Sequence, residues 1–206
     1  MKIFITSGNT WVRIDPVRVV TNVFTGETGL KIANYFCEKK EDVILAGSNP
    51  YLFELKGNPQ IKFKLFQYFE DLDAVIKTTI LQEKPDVIIH AAAVSDYRPK
   101  LEHPTKIKSN TAEIDLGKWV PTKKLIHSIR KEYHYAGKLV QFKLETVTTD
   151  DQLIEIATRS MQANQANLCI ANRMNAMEDV IAIFEGGFQK MKRSELYAFL
   201  HQWVLQ

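Results

Sequence analysis

The sequence predicts an α/β protein with a Rossmann-like, doubly wound, mostly parallel sheet, helices on both faces and a C-terminal β-hairpin. Short apolar runs alternate with segments of helical period over the first ninety or so residues. Those runs are continuous rather than polar-alternating, which is typical of parallel strands buried on both faces. Near the C-terminus a Gly-Gly pair divides a long apolar run, which indicates a hairpin. Right-handed crossovers then place helices on both faces.

The first half supplies alternating strands and helices. Strands are predicted at KIFITS (2–7), DVILAG (42–47), IKFKLFQYF (61–69) and PDVIIHAAA (85–93). Helices are predicted at GETGLKIANYFCEKK, beginning at Gly26, and at 72–84, ending before Pro85.

The second half begins with an irregular segment, predicted as a long loop from Tyr97 to about Lys118 with a strand pair around AEIDL. The elements predicted after it are a helix in TKKLIHSIRKEY, a strand at 138–144, a helix in TDDQLIEIATRSMQAN capped by Asp150 or Thr149, a strand in ANLCIAN, a hairpin in DVIAIFEGGFQKM turning at Gly186-Gly187, and a last helix in SELYAFLHQWV capped by Ser194.

Composition indicates one globular domain over residues 1–206, since 45% of the chain is hydrophobic and 25% charged. A net charge of +3 suits a small anionic ligand and is too weak for a nucleic-acid binder. No stretch reaches the roughly 18 apolar residues of a membrane span, and the N-terminus lacks a signal-peptide pattern. We therefore expect a cytoplasmic protein without a membrane partner. Cys37 and Cys169, far apart, are predicted to be buried thiols.

Chemistry-bearing residues follow the predicted fourth strand in HAAAVSDYRPK. Small alanines allow a flat group to lie against the backbone. Asp96 could accept a hydrogen bond from a ribose hydroxyl or coordinate a metal. Lys106 and Lys108 lie where a loop could fold over phosphates, although from composition and spacing alone a solvated surface charge is the favoured interpretation of each. Ligands of doubly wound sheets bind at the carboxyl ends of strands, where this stretch lies.

The loop after the first strand, SGNTWVRIDPVRVVTN, is not a GxGxxG fingerprint. Thr25 and Gly26 precede a helix, where free N–H groups attract phosphate or carboxylate. Capping of that helix by Thr25 is an equally good interpretation. Asp15 and Arg18 flank Pro16, and we expect them to form a local ion pair that stiffens the loop.

Four motifs, in order, resemble those of one family. AAAVSDYRP followed by KIK resembles AAVADYRP and KxKK; SGNTWVRIDPVRVVTNVFTGETG is similar to GGTxxxIDPVRxxxNxSSGxxG; FKLET resembles GFxxET; and LCIAN resembles the strand end IVAND. These are motifs of the phosphopantothenate–cysteine ligase (phosphopantothenoylcysteine synthetase) family, and the match is colinear over essentially the whole chain.

The resemblance implies a ligase that joins 4′-phosphopantothenate to L-cysteine in coenzyme A biosynthesis. Such enzymes form an acyl-cytidylate from CTP with Mg²⁺, release pyrophosphate, and are commonly homodimers. Eukaryotic relatives use ATP. The chain carries only the ligase part, so the resemblance implies no flavin.

The resemblance also implies roles for individual residues. Asn22 and Lys106 match catalytic positions, and Asn22, Thr25 and Gly26 would bind the acyl substrate. The nucleotide-binding positions are Gly8, Ala92, Ala93, Asp96, Lys106, Lys108, Pro121 and Phe142. No residue is expected to be a resident metal ligand.

The chain departs from the family pattern at several positions. Ser109 replaces the last lysine of KxKK, Phe24-Thr25 replaces a serine pair, Arg173 follows Ala171-Asn172, and Ser160 and Asn164 replace two nucleotide-contacting lysines. Two other functions therefore stay open. One is a non-catalytic nucleotide-binding relative. The other is a Rossmann-type oxidoreductase, which would need a glycine-rich first loop and a YxxxK pair; the sequence lacks the glycine-rich loop.

Overall fold

The computed structural model describes residues 1–108, 116–146 and 149–206. The strands in this part of the chain are β1 (Lys2–Ser7), β2 (Trp11–Arg13), β3 (Val19–Thr21), β4 (Asp42–Gly47), β5 (Lys62–Leu65), β6 (Val87–His90), β7 (Tyr97–Pro99), β8 (Trp119–Pro121), β9 (Lys138–Glu145), β10 (Leu168–Arg173), β11 (Ala176–Phe184) and β12 (Gly187–Lys192). The helices are α1 (Glu27–Glu38), α2 (Pro50–Lys56), α3 (Phe69–Thr78), α4 (Leu125–Lys131), α5 (Asp150–Asn164) and α6 (Leu196–Leu205).

Eight strands form one sheet in the order β12-β11-β10-β9-β6-β1-β4-β5. The strands from β5 to β10 in that order are parallel, whereas β11 and β12 pair antiparallel at one edge. Strand order reverses between β1 and β6, because the chain runs from β1 towards β5 and then returns to the other side of β1. This is the topological switch point of a doubly wound fold. The predicted fold class is confirmed.

Helices cover both faces of the sheet. On one face, α1 and α6 pack over alternate strand residues such as Ile3, Ile5 and Ile89. On the other face, α3 and α4 pack over Phe4 and Ile88, and α5 packs over the far strands in a third cluster. Successive strand residues point to opposite faces, so continuous apolar strands are needed to fill both cores.

The predicted strand at 61–69 is too long. β5 ends at Leu65, and α3 already begins at Phe69. The carboxylate of Asp71 accepts the backbone N–H of Tyr68 at 2.9 Å and of Gln67 at 3.2 Å, which turns the chain into the helix. A π-helical turn, Thr79–Glu83, then extends α3 almost to Pro85. The alternation of the apolar residues hid this capping signal.

The structure decides between the proposed helix caps. Thr149 caps α5, because its hydroxyl accepts the Gln152 N–H at 3.3 Å. Ser194 does not cap α6: a 3-10 turn, Arg193–Glu195, precedes that helix, and the Glu195 carboxylate accepts the Lys192 N–H at 2.7 Å. The start of this turn is therefore stabilised by Glu195 rather than by Ser194.

The C-terminal hairpin is confirmed with a small shift. Phe184 pairs with Gly187, so the turn residues are Glu185 and Gly186, and Gly187 already belongs to β12. Gly186 has a φ of 89°, which suits a two-residue hairpin loop.

The irregular middle segment is bracketed by a strand pair, β7 with β8. The pair predicted around AEIDL falls almost entirely on residues outside the described ranges, and Leu116 lies outside any strand. The sequence interpretation also missed α2 and the β2–β3 hairpin. Asn49-Pro50 was the available signal for α2, since the Asn49 side chain caps it and Pro50 occupies its first turn. In the described part of the chain, no helix is long and apolar enough to cross a membrane.

Candidate functional site

A cavity of about 700 Å³ lies at the carboxyl ends of β1, β6 and β9, beside the switch point. This volume falls within the usual range for small-molecule sites, and the location is where doubly wound sheets bind ligands. Its walls come from the N-terminal ends of α1 and α4, the loop after β6, and the face of α5.

The floor of the cavity is a backbone junction between the chain segments that leave β1 and β6. The Ala93 N–H donates to the Gly8 carbonyl at 2.7 Å, and the Thr10 N–H donates to the Ala93 carbonyl at 3.3 Å. Gly8 has a φ of 92°, and a Cβ there would lie 2.1 Å from the Ser48 hydroxyl oxygen. A glycine is therefore required at the junction, and Ala92 and Ala93 line the cavity as predicted small residues.

Asn22 is held rigidly at the cavity wall. Its side-chain amide donates to the Ala93 carbonyl at 3.1 Å, and its own carbonyl accepts the Asn9 side-chain amide. Two segments far apart in sequence are therefore fixed to each other at this point. Asn22 retains its side-chain oxygen for a ligand.

The N-terminus of α1 opens into the same cavity. Gly26 is the N-cap residue, with a φ of 89°, and the Ser7 hydroxyl donates to its carbonyl at 2.6 Å. Within the described chain no side chain caps α1, so Thr25 does not cap it. The first N–H groups of a twelve-residue helix are thereby left facing the cavity wall that Thr25, Gly26 and Thr28 form.

Asp96 lines the cavity beside a lysine that sequence reasoning missed. Its carboxylate accepts a hydrogen bond from the Lys124 ammonium group, and the Asp96 carbonyl accepts the Thr122 N–H at 2.9 Å. The run TKK directly after Pro121, at a helix start, was the signal that could have identified Lys124. Pro121 itself does not line the cavity, whereas Thr122 does.

The cavity has a positive charge balance. Its basic lining residues are Lys123, Lys124, Lys143 and Arg193, against the acidic residues Glu27 and Asp96. Glu27 is paired with Lys31 at 3.2 Å, and Lys123 is paired with Glu132 at 2.7 Å. Arg193 donates to the Met177 carbonyl at 2.6 Å and to the Thr28 hydroxyl at 3.4 Å, so it is held against the start of α1. Such a balance favours a polyanion.

Phe142 lies in the second half of β9 and lines the cavity, half-buried against the core on the α1 face. Lys143 follows it and forms an ion pair with Glu145 at 2.7 Å. Gln141 precedes it, and its side chain lies on the opposite face, against α5. The cavity therefore wraps round the edge of the sheet and reaches both faces.

Lys106 and Lys108 are not among the residues that line the cavity, and both are exposed. Their segment is attached to the first loop: the Ile107 N–H donates to the Asp15 carboxylate at 3.0 Å, and Arg18 donates to the Ile107 carbonyl at 3.1 Å. Ser109 lies outside the described residues.

The expected Asp15–Arg18 ion pair is present, with 2.7 Å between Arg18 Nη1 and the carboxylate. Removal from water opposes ionisation of Asp15, but the N–H groups of Ile107, Val17 and Arg18, together with the guanidinium, lower its pKa to about 2. The carboxylate is therefore ionised at neutral pH.

Both cysteines are free and buried, as predicted. Burial raises the pKa of the Cys169 thiol to about 11, which makes it unreactive at neutral pH. Among the residues that the structure describes, no group of three acidic, histidine or cysteine side chains could hold a metal ion.

The fold and the site together define a class: a doubly wound α/β protein with a basic, ligand-sized cavity at its switch point. The chain belongs to the family described as DNA/pantothenate metabolism flavoprotein C-terminal domain, which it matches over residues 1–192. This confirms the family that the four motifs indicated.

Individual relatives agree with the family match. The coenzyme A biosynthesis bifunctional protein CoaBC of Thermococcus kodakarensis is 31% identical over 178 residues, which cover 85% of this chain and 42% of that protein. The chain thus spans less than half the length of this curated relative. A crystal structure of a DNA/pantothenate metabolism flavoprotein from Streptococcus pneumoniae superposes with a TM-score of 0.88 at 28% identity, covering 100% of this chain and 98% of that one. A structure of Cab2 shares the fold, with a TM-score of 0.75, 18% identity, and coverage of 99% and 87%.

Proposed function

We propose that this protein is a phosphopantothenate–cysteine ligase of coenzyme A biosynthesis. One observation carries the proposal: Asn22, Gly26, Ala93 and Asp96, taken from different motifs of the sequence, line one cavity at the switch point. The family match supports it. So does the Cab2 structure of the same fold, which holds phosphopantothenate-cysteine.

The reaction needs two anions in one site. The carboxylate of 4′-phosphopantothenate attacks the α-phosphorus of a nucleoside triphosphate, and pyrophosphate leaves. The amine of L-cysteine then attacks the acyl carbon, the nucleoside monophosphate leaves, and the amine loses a proton. Because hydroxide is a poor leaving group, the first step replaces it with a phosphate. The protein must therefore hold both anions and offset the charge that develops at the α-phosphate.

The cavity provides groups for both tasks. Asn22, Thr25 and Gly26 lie on the α1 side, where the helix N-terminus and Arg193 would receive the phosphate or carboxylate of phosphopantothenate. Asp96, Ala92 and Lys124 lie on the α4 side, which would receive the nucleotide. Mg²⁺ would enter with the triphosphate as part of the substrate.

Lys106 remains our proposal for the residue that stabilises charge in the transition state, with Lys108 beside it. Since Asp15 and Arg18 both bind the backbone of Ile107, the two lysines extend from a segment that the first loop holds in place. Gly8, Pro121 and Phe142 also remain proposed nucleotide positions, and homodimerisation remains proposed. CTP is the proposed nucleotide, with ATP the alternative.

The decisive experiment measures pyrophosphate release by the purified chain with 4′-phosphopantothenate, L-cysteine and Mg²⁺, comparing CTP with ATP. We expect release that depends on phosphopantothenate and is stronger with CTP. Lys106→Gln and Asn22→Ala should lower it at least a hundredfold. Lys131→Gln, an exposed lysine on α4 outside the cavity, is the matched control.

A binding-only relative would behave differently. It would bind nucleotide in a titration and release no pyrophosphate with either nucleotide. Ser160 and Asn164, which stand where many relatives carry lysines, line the cavity and favour this alternative. Pyrophosphate release without phosphopantothenate would contradict both the ligase and the binding-only proposals, because it would indicate a simple nucleotide hydrolase.

A further inference from the structure

Four polar side chains form a row across the sheet beneath the cavity. Thr6, His90, Gln141 and Cys169 occupy matching register positions on the adjacent parallel strands β1, β6, β9 and β10. They are 0%, 8%, 2% and 0% exposed. Their neighbours two residues earlier, such as Phe4, Ile88 and Leu139, are apolar core residues. A row of buried polar groups across an apolar sheet requires a role.

The hydrogen bonds of Thr6 fix the tautomer of His90. The Thr6 hydroxyl oxygen lies 2.9 Å from His90 Nδ1 and accepts the Ala92 N–H at 3.3 Å. Since the hydroxyl proton has no other acceptor among the described residues, it is donated to Nδ1, and Nε2 then carries the imidazole proton. This is the assignment that satisfies both groups.

The Nε2–H of His90 faces the cavity. His90 lines the cavity wall and is more than nine-tenths buried. In the described part of the chain, Nε2 has no hydrogen-bond partner. This nitrogen remains accessible to solvent. This donor can therefore donate to a ligand or to water in the cavity.

Neighbouring side chains add neutral groups to the same wall. Gln141 donates to the Ser160 hydroxyl at 3.1 Å and accepts from the Asn164 amide at 2.6 Å, so its side chain is fully engaged. Asn164 also donates to Ser160 at 3.3 Å. Among the described residues, neither the Ser160 proton nor the Asn164 side-chain oxygen has a hydrogen-bond partner, so both can bond to a ligand. The three groups that face the ligand, from His90, Ser160 and Asn164, are all uncharged.

We propose that this neutral wall reads the nucleobase, with His90 Nε2–H donating to an acceptor atom on the base. The inference rests on the proposed function and names the part of the nucleotide that this wall receives. A phosphate would favour the charged parts of the cavity wall, which Lys124 and Arg193 provide. A base edge offers carbonyl and ring-nitrogen acceptors beside amino donors, which a neutral row of donors and acceptors matches. Burial keeps His90 neutral near pH 7, because it lowers the pKa to about 4.

The test is a calorimetric titration of the folded protein with CTP, ATP and inorganic tripolyphosphate. His90→Phe keeps a flat ring and removes the donor. His90→Gln replaces the donor with an amide N–H at a similar distance from the backbone. The control is His134→Asn, at an exposed residue that does not line the cavity and whose φ of 51° asparagine tolerates.

We expect His90→Phe to weaken binding of the preferred nucleotide roughly three- to tenfold and to leave tripolyphosphate binding unchanged. His90→Gln should restore part of the loss, and the control should bind as the wild type does. Thr6→Val, which releases Nδ1, should weaken nucleotide binding in the same sense and serves if His90→Phe fails to fold.

Three results would separate the possible failures. Unchanged nucleotide binding in both His90→Phe and Thr6→Val would overturn the inference and leave the ligase proposal standing. Equal losses for nucleotide and tripolyphosphate would overturn it too, since the row would then act on the phosphate end. If the wild type binds no nucleotide, the proposed function itself is wrong.

Discussion

The carboxylate of Asp15 accepts the backbone N–H of Ile107 at 3.0 Å, across 92 residues of sequence. Arg18, its ion-pair partner, donates to the carbonyl of the same residue at 3.1 Å. The IDPVR loop therefore binds both backbone hydrogen-bonding groups of one residue, Ile107, in the KIK segment. Since Lys106 and Lys108 flank Ile107, the position of both lysines depends on Asp15.

Asp15→Asn should weaken the attachment of the KIK segment to the first loop. An amide oxygen accepts hydrogen bonds from Ile107, Val17 and Arg18 less strongly than a carboxylate does. We expect pyrophosphate release to fall roughly tenfold or more and trypsin to cleave after Lys106 and Lys108 faster than in the wild type. Asp179→Asn, which removes a carboxylate from an exposed ion pair with Lys192, is the control. Unchanged cleavage at both lysines would show that Asp15 does not hold the segment.

The ionisation of Asp15 predicts the pH range over which the first loop holds the KIK segment. Its pKa is lowered to about 2 in the folded protein, so the stability it contributes is present above the unfolded pKa near 4 and is lost as pH falls through 2. Proteolytic protection of the KIK segment should therefore not vary between pH 5 and 9. Protection that disappears within that range would mean another group controls it.

Gly26 and Gly186 share a φ of 89° but differ in surroundings. A Cβ on Gly26 would lie 2.9 Å from the Gly8 backbone nitrogen, whereas one on Gly186 meets nothing within 4 Å. Alanine at either position costs about 1 kcal/mol for the left-handed backbone. Gly26→Ala should cost more, and it should also displace the cavity floor and lower ligand affinity. Urea unfolding and nucleotide titration of both variants check this, and equal losses in the two would contradict it.

His90 should make the protein acid-sensitive. Burial lowers its pKa to about 4, whereas the unfolded chain binds a proton near pH 6.5. Between those values the unfolded state holds more protons, so the free energy of unfolding decreases as pH falls from 6.5 to 4, by about 3 kcal/mol at most. His90→Phe lacks this contribution. Its stability relative to the wild type should therefore rise as pH falls from 7 to 4.5 in urea titrations, and a constant difference would refute the argument.

Lys124 should matter for binding and not for stability. Its ion pair with Asp96 is exposed, with side chains 55% and 62% accessible, so removing it should change the free energy of unfolding by less than about 1 kcal/mol. Lys124→Gln should nevertheless weaken nucleotide binding and reduce its salt dependence, because a cation leaves the cavity wall. Calorimetry at two salt concentrations, with Lys131→Gln as control, measures both effects.

The sequence by itself determined the order of most strands and helices of the main sheet, because hydrophobic period and turn residues act over neighbouring positions. KIFITS, DVILAG and ANLCIAN became strands close to their predicted bounds. It also indicated the family, since motif residues keep their order along the chain. Boundaries governed by one side chain, such as the Asp71 cap, were wrong because alternation outweighed them.

Only the tertiary structure decided which side chains share the cavity. Parallel crossovers bring the ends of β1, β6 and β9 together, so Asn22, His90 and Lys124 meet although long stretches of chain separate them. The same assembly placed Thr6 beside His90 and Asp15 beside Ile107. Spacing in the sequence cannot report such contacts, because they depend on how whole elements pack and not on the residues next to each other.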